Sequence, residues 1–264
     1  MYFSNKIIWI TGASSGIGKA LAIALSKQQC KLILSSRNIA SLELVKVACE
    51  HPQEITIIAL DLENFASLEL KAQAALKAFG KIDILIHNGG VSQRSLVIDT
   101  HIDVDKRIMD VNYLGTIALT KAILPHFIQR KAGQFVVTTS IVGKIGTPLR
   151  SSYAASKHAL HGFFDSLRAE NYQNNIAVTL VCPGFINTNI SKNALTGNGT
   201  PQGKMDTATG EGMSAARCAK LMLKAIKNKK EEVYIAGAKE KLGVHVKRFF
   251  PRFFSILIRK MRVT

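Results

Sequence analysis

Tyr153-Ala-Ala-Ser-Lys157 sets a phenol and an ammonium four residues apart. On a helix both side chains share one face, an arrangement suited to moving a proton on or off a reacting oxygen. An isolated tyrosine, with a pKa of about 10, does this poorly at neutral pH. A neighbouring lysine cation and a cationic nicotinamide ring both favour the phenolate and are expected to lower that value. Ser140 closes the run Phe135-Val-Val-Thr-Thr-Ser140. Its hydroxyl is placed to hold a carbonyl oxygen while Tyr153 delivers the proton. Tyr-x-x-x-Lys arises by chance in many helices, so the pair gains meaning only from its order and context.

That context begins with Thr11-Gly12-Ala13-Ser14-Ser15-Gly16-Ile17-Gly18, which follows an apolar strand and opens a helix. Gly12 permits a tight turn, Gly16 lets backbone approach a pyrophosphate, and Gly18 lets the helix pack close to the sheet. The free N–H groups at the helix start then face phosphate. The second strand ends in Ser35-Ser36-Arg37-Asn38. A site for unphosphorylated nicotinamide dinucleotide would place a carboxylate here for the ribose 2′-hydroxyl. Ser36 stands in its place, and Arg37 is a planar cation suited to a 2′-phosphate, so NADP(H) is the expected cofactor. An ordinary surface arginine is the alternative. Asp61, followed by Leu62, closes the third strand, where it would accept from an adenine amino group or serve as a loop carboxylate.

The elements that must hold these residues alternate. Ile7–Ile10, Leu32–Leu34, Ile55–Leu60, Ile82–Ile86, Phe135–Val137 and Val178–Val181 read as strands whose nearly continuous apolar character suits burial on both faces. Stretches of helical period lie between them: Gly18–Gln28, Ala40–Glu50, Phe65–Phe79 and Ala154–Tyr172. Strand then helix, repeated, predicts an α/β fold with a doubly wound parallel sheet, the Rossmann arrangement, as a single domain over residues 1–238. One segment breaks the rhythm. Phe185–Gly212 is rich in Asn, Thr and Gly, which suggests an active-site lid. With Ile141, Val142 and Leu149 it is expected to border an apolar substrate pocket.

The chain has 264 residues, 47% of them apolar, which suits one large domain and excludes disorder. Its 35 Lys+Arg against 18 Asp+Glu give a net charge of +17 and a surface that favours anions. No nucleic-acid motif accompanies that charge, and the aromatics do not interleave with a basic groove, so no nucleic-acid partner is expected. Cys30, Cys49, Cys182 and Cys218 form no Cys-x-x-Cys pair and have no neighbouring histidine at metal-ligand spacing. They read as buried thiols of a reducing compartment, with no metal site. No signal peptide and no run of about 18 apolar residues is apparent, so the expected location is cytoplasmic.

Taken together, the Thr-Gly-x-x-x-Gly-Ile-Gly loop, His87-Asn88-Gly89-Gly90, Asn112, Ser140, Tyr153/Lys157 and Pro183-Gly184-x-Ile186-x-Thr188 occur in the order of the short-chain dehydrogenase/reductase superfamily, which the chain resembles from residue 11 to about Ala236. Asn88–Leu96 and Tyr153–Phe164 look most like its member 7 and bacterial relatives. The resemblance implies that Asn88, Gly89 and Gly90 steady the sheet and line the adenosine ribose. It implies that Asn112 holds a proton-relaying water for Lys157, which also binds the nicotinamide ribose, and that Ile186 and Thr188 contact the carboxamide. It further implies oxidoreduction at a CH–OH group with NADP as acceptor, on a steroid, retinoid or similar lipophilic carbonyl, in a dimer or tetramer. A long-chain keto-lipid reductase and a non-catalytic cofactor-binding regulator are the competing readings. His87 departs from the family, which usually has Asn there, and is expected to be structural.

Residues 239–264 hold eight Lys/Arg and one Glu. With Pro251 in a first helical turn, Phe250, Phe253, Phe254, Leu257, Ile258 and Met261 fall on one face and Arg252, Arg259 and Arg262 on the other. This basic amphipathic helix is the pattern of an element lying in an anionic membrane surface, here through residues 249–262. Packing on its own domain or on a second subunit is the alternative.

Overall fold

The computed structural model describes residues 2–260. In chain order the strands are β1 (Ile7–Thr11), β2 (Lys31–Ser36), β3 (Ile55–Ala59), β4 (Ile84–His87), β5 (Gly133–Thr138), β6 (Ile176–Pro183), β7 (Ile186–Asn187), β8 (Met213–Ser214) and β9 (Glu232–Ile235). The helices are α1 (Gly16–Ser26), α2 (Ile39–Val47), α3 (Phe65–Phe79), α4 (Ile102–Met109), α5 (Gly115–Arg130), α6 (Ser151–Glu170), α7 (Thr207–Gly210), α8 (Ala215–Lys227), α9 (Ala238–Phe249) and α10 (Pro251–Lys260).

Seven strands form one parallel sheet in the order β3-β2-β1-β4-β5-β6-β9, while β7 and β8 pair separately. The order reverses between β1 and β4, and a parallel sheet opens its crevice at such a point, beyond the carboxyl ends of the strands. Every residue of β1 and β4 is buried, because helices cover both faces. On one face Leu21 and Leu25 of α1, Leu42 and Val45 of α2, and Met222 and Ile226 of α8 pack together. On the other, Leu68 of α3, Ile123 and Phe127 of α5, and Leu160 and Phe164 of α6 do the same. Burial on two faces explains why the strands carry apolar runs rather than alternation.

Besides shifted ends and the helices α8 and α9, which the sequence reading passes over, two differences bear on the site. The fourth strand begins at Ile84 rather than Ile82, because the preceding Asp83 accepts the Ile7 N–H (2.9 Å) and pairs with Arg130 (2.8 Å) as the chain enters the sheet. The stretch 102–130, which the periodicity reading passes over, folds into α4 and α5 joined by a wider π-helical turn at Asp110–Leu114. Such turns commonly mark functional positions, and this one carries Asn112. At its end Gly115 lies against the chain: a Cβ there would stand 2.1 Å from the Leu62 carbonyl oxygen.

Candidate active site

A cavity of about 1120 Å³ opens over the carboxyl ends of the strands. Its lining takes residues at or just beyond the strand ends: Gly12 after β1, Arg37 and Asn38 after β2, Asp61 and Leu62 after β3, Asn88, Gly89 and Gly90 after β4, Ser140 after β5, and Pro183 and Gly184 at the end of β6. Ser14, Ser15, Gly16, Ile17, Tyr153, Lys157, Ile186 and Thr188 complete the expected set. Only Gly18 and Asn112 stand behind the wall, each supporting residues that line it.

Thr11 ties the reversal point together. Its hydroxyl oxygen accepts the N–H groups of Asn88 and Gly89, both at 3.1 Å, and Asn88 donates its amide to the Gly12 carbonyl at 3.2 Å. Gly12 and Gly16 adopt φ of 64° and 52°, which favours glycine. Gly18 allows the helix to sit on the loop, since a Cβ there would lie 2.2 Å from the Gly12 carbonyl oxygen. The Ser15 side chain does not cap α1, and no acidic residue occupies its first turn. Free backbone N–H groups therefore face the cavity at a positive helix end, a donor set that fits a pyrophosphate. At the end of β2, exposed Arg37 sits on the cavity rim with no carboxylate beside it, while Asn38 is engaged in capping α2 through the Ser41 N–H at 2.9 Å.

At the other end of the cavity, the Ser140 hydroxyl and the Tyr153 phenol are hydrogen-bonded. Lys157 lies on the same face of α6, its Nζ 5.8 Å from the Tyr153 ring centre, and donates to the Thr138 carbonyl at 2.9 Å. The expected lowering of the phenol by Lys157 is not what this geometry produces. Burial raises the Tyr153 pKa above its ordinary value, and the forces opposing that rise are the Ser140 hydrogen bond and the charges of Arg150 and Arg94. Lys157 is itself pushed down to about 8 by burial. Asn112 accepts the Val91 N–H (2.8 Å) and donates to the Val91 carbonyl (2.9 Å) and Ser156 Oγ (3.0 Å). It thereby fixes the loop after β4 against the residue preceding Lys157.

Arg94, Arg150 and Asp206 were not singled out by the sequence reading, yet they form a buried charged group at the substrate end. Arg94 donates through Nε (2.8 Å) and Nη2 (2.5 Å) to one carboxylate oxygen of Asp206. Arg150 lies 3.7 Å from the same oxygen and 5.6 Å from the centre of the Phe185 ring. The charges hold the 185–212 segment against the loop after β4 and lend positive potential to Tyr153. Of the apolar residues expected around the pocket, Ile141, Val142 and Phe185 line it and Leu149 does not. Leu149 has φ of 64°, and its carbonyl accepts the Ser95 N–H, so the chain turns there and offers Arg150 to the cavity instead.

The tail supplies a further wall. The Glu240 carboxylate accepts the N–H groups of Phe185 (2.8 Å) and Gly237 (2.5 Å). Gly184 is pressed so closely against that carboxylate that a Cβ would stand 2.1 Å from it. Phe254 of α10 also lines the cavity. The single apolar face expected for this helix is therefore divided: Phe254 is buried and Ile258 half-buried, whereas Phe250, Phe253 and Leu257 are exposed. Met261 and Arg262 lie outside the described residues.

His87 plays a structural part. It is buried against Phe135 and Phe164, and its Nε2 lies 2.9 Å from Thr120 Oγ1. The Thr120 hydroxyl also reaches the Thr116 carbonyl, at 2.8 Å. Burial pushes the His87 pKa down to about 3, so the ring stays neutral. All four cysteines are free and buried. Although no histidine neighbours Cys182 in sequence, the fold brings it within 3.8 Å of His161 Nε2, and His161 Nδ1 lies 3.3 Å from Glu232. Lys144 already pairs with that carboxylate at 2.6 Å. Burial would raise the Glu232 pKa, but hydrogen bonds from His161, Lys144 and Tyr234 hold it down to about 2.

Comparison with known proteins places this arrangement in a wider set. The family model described as short chain dehydrogenase matches residues 6–199. A dehydrogenase/reductase SDR family protein 7-like from Anopheles gambiae is 43% identical over 98% of this chain and 84% of its own. The human dehydrogenase/reductase SDR family member 7 is 42% identical over 98% of this chain and 78% of its own. Among solved structures, a short chain dehydrogenase/reductase from Burkholderia phymatum in complex with NAD superposes with a TM-score of 0.85 at 23% identity, covering 96% of each chain. A levodione reductase does so with a TM-score of 0.80 at 23% identity, covering 90% of this chain and 99% of its own.

Proposed function

This chain belongs to the short-chain dehydrogenase/reductase family, whose members are nicotinamide-dependent oxidoreductases, and on that premise we propose that it interconverts a lipophilic ketone or aldehyde and its alcohol with NADP(H). The nicotinamide supplies or accepts the hydride. In the direction of reduction Ser140 holds the substrate oxygen and Tyr153 donates the proton to it. Burial keeps the phenol in its protonated form, and the Ser140 hydrogen bond with the Arg150 and Arg94 charges offsets part of the cost of releasing that proton. Lys157 restores positive charge beside the tyrosinate left behind, and Asn112 positions the Lys157 segment through Ser156.

The observation that carries the cofactor reading is the end of β2: a cation at Arg37 and no carboxylate at Ser36, on the rim of the cavity that the glycine loop borders. Apolar Ile141, Ile145, Leu195 and Phe254 on the far wall support a lipophilic substrate. Reduction is favoured wherever the NADP pool is kept reduced.

Fluorescence titration of NADPH and NADH into wild type and Arg37→Asp tests the assignment. Wild type is expected to bind NADPH about 10- to 100-fold more tightly than NADH, the value of one or two charge-assisted hydrogen bonds. Arg37→Asp should abolish or reverse that preference. Equal affinities in wild type would overturn NADP(H) as the cofactor and leave the oxidoreductase reading standing; binding of neither would overturn both.

A further inference from the structure

The two tail helices have an inside and an outside. Inside, Glu240 is turned onto backbone N–H groups and Phe254 forms part of the cavity wall. Outside, Phe249, Phe250, Phe253, Ile256 and Leu257 are 69%, 65%, 56%, 55% and 41% exposed. Five large apolar side chains gathered within nine residues differ from the scattered exposed residues of an ordinary surface. Lys247, Arg248, Arg252 and Arg259 surround them, and the only acid of residues 238–260 is the inward Glu240.

We infer that the outer face of α9 and α10 docks on an anionic lipid surface. The aromatics would enter the headgroup boundary, and the flanking cations would meet lipid phosphate. Charge decides between this occupant and a second copy of the chain: a twofold contact through this face would set the cationic rim against itself, whereas an anionic bilayer complements it. None of the helices in the described residues is long and apolar enough to cross a membrane, so the contact is one of lying on the surface. Because α10 offers Phe253 outward and Phe254 to the cavity, one helix separates the lipid boundary from the proposed substrate space. A carbonyl compound dissolved in the bilayer would then have the shortest route to Tyr153 along this helix. The docking stands on the tail alone, and the route rests on the function proposed above.

The test is co-sedimentation of the full chain with phosphatidylcholine vesicles and with phosphatidylcholine–phosphatidylglycerol vesicles. Wild type should bind the anionic vesicles, and Phe250→Ser/Phe253→Ser and Arg252→Glu/Arg259→Glu should each weaken that binding by about tenfold or more. Lys220→Glu/Lys227→Glu removes equal charge from exposed positions on α8 and should bind as wild type does. The charge-reversed tail keeps the test standing if the serine variant does not fold. Absence of wild-type binding, binding that survives both tail variants, or equal loss in the α8 variant would overturn the proposal. So would a wild-type dimer that ignores vesicles and dissociates on Phe250→Ser/Phe253→Ser in sedimentation velocity. NADPH binding is read separately, so failure of the docking and failure of the oxidoreductase reading are distinguishable.

Discussion

Tyr153→Phe should lower kcat for carbonyl reduction by roughly 10²- to 10⁴-fold, the range for removing a positioned general acid, while leaving NADPH affinity unchanged. Phenylalanine keeps the ring, its volume and its contact with the Lys157 ammonium, so the wall of the cavity is preserved. What disappears is the hydroxyl that Ser140 bonds and that burial keeps protonated. Lys157, the other cavity group that can carry a labile proton near neutral pH, is committed to the Thr138 carbonyl. Arg94 and Arg150 are buried guanidiniums committed to Asp206, and Asp61 lies beyond the end of β3 at the far end of the cavity. Steady-state rates together with a fluorescence titration separate the two effects. A variant retaining more than a tenth of wild-type kcat would remove Tyr153 from the proton-donor role, and lost cofactor binding would mean that the substitution disturbs the pocket itself.

Lys157→Met should lower kcat/KM for reduction by about 10²-fold or more and should erase a feature of the pH profile. In wild type, burial pushes the Lys157 pKa down to about 8. The free enzyme therefore carries an ammonium beside Tyr153 below that pH and a neutral amine above it. Reduction needs the cation to stabilise the tyrosinate that remains after proton donation, so wild-type kcat/KM should fall as pH rises through about 8. The methionine variant, never charged there, should show no such limb. Stability runs the other way. The folded value lies below the ordinary lysine value of 10.5, so between about 8 and 10.5 the unfolded chain holds more protons and wild-type stability rises with pH. Lys157→Met should consequently be the more thermostable protein at pH 7, with the gap closing above pH 8. An unchanged limb in the variant would assign the titration to another group.

The sheet was legible because its signal is local. Ile84-Leu-Ile and Ile7-Ile-Trp-Ile announce strands buried on both faces, and the glycine loop states its geometry within eight residues. Tyr153 and Lys157 were legible for the same reason, being one helical turn apart. Arg94 and Asp206 are separated by 112 residues, and no spacing rule connects them. Arg150 was hidden by the left-handed turn at Leu149, which exchanges the expected apolar neighbour for a cation. Asn112 was found through resemblance, but its attachment to Val91 and Ser156 depends on a π-helical turn that breaks the 3.6-residue period. In the tail, periodicity identified the apolar residues and could not divide them between two partners, since Phe253 and Phe254 differ only in which way each faces.

Glu240 gives that tail a place in the working parts of the molecule. One carboxylate serves two segments, the loop that follows β6 and the start of α9. If either segment withdraws, a donor is left without its acceptor, at a cost of roughly 1–3 kcal/mol when the group stays buried. The boundary at residue 238 thus marks a change of composition while the mechanics run through it. Coupling of this kind is reciprocal: whatever shifts α9 changes the energy of the Gly184–Phe185 loop, and whatever settles on that loop returns the same energy to α9. A surface helix and a cavity loop joined in this way behave as the two arms of one balance.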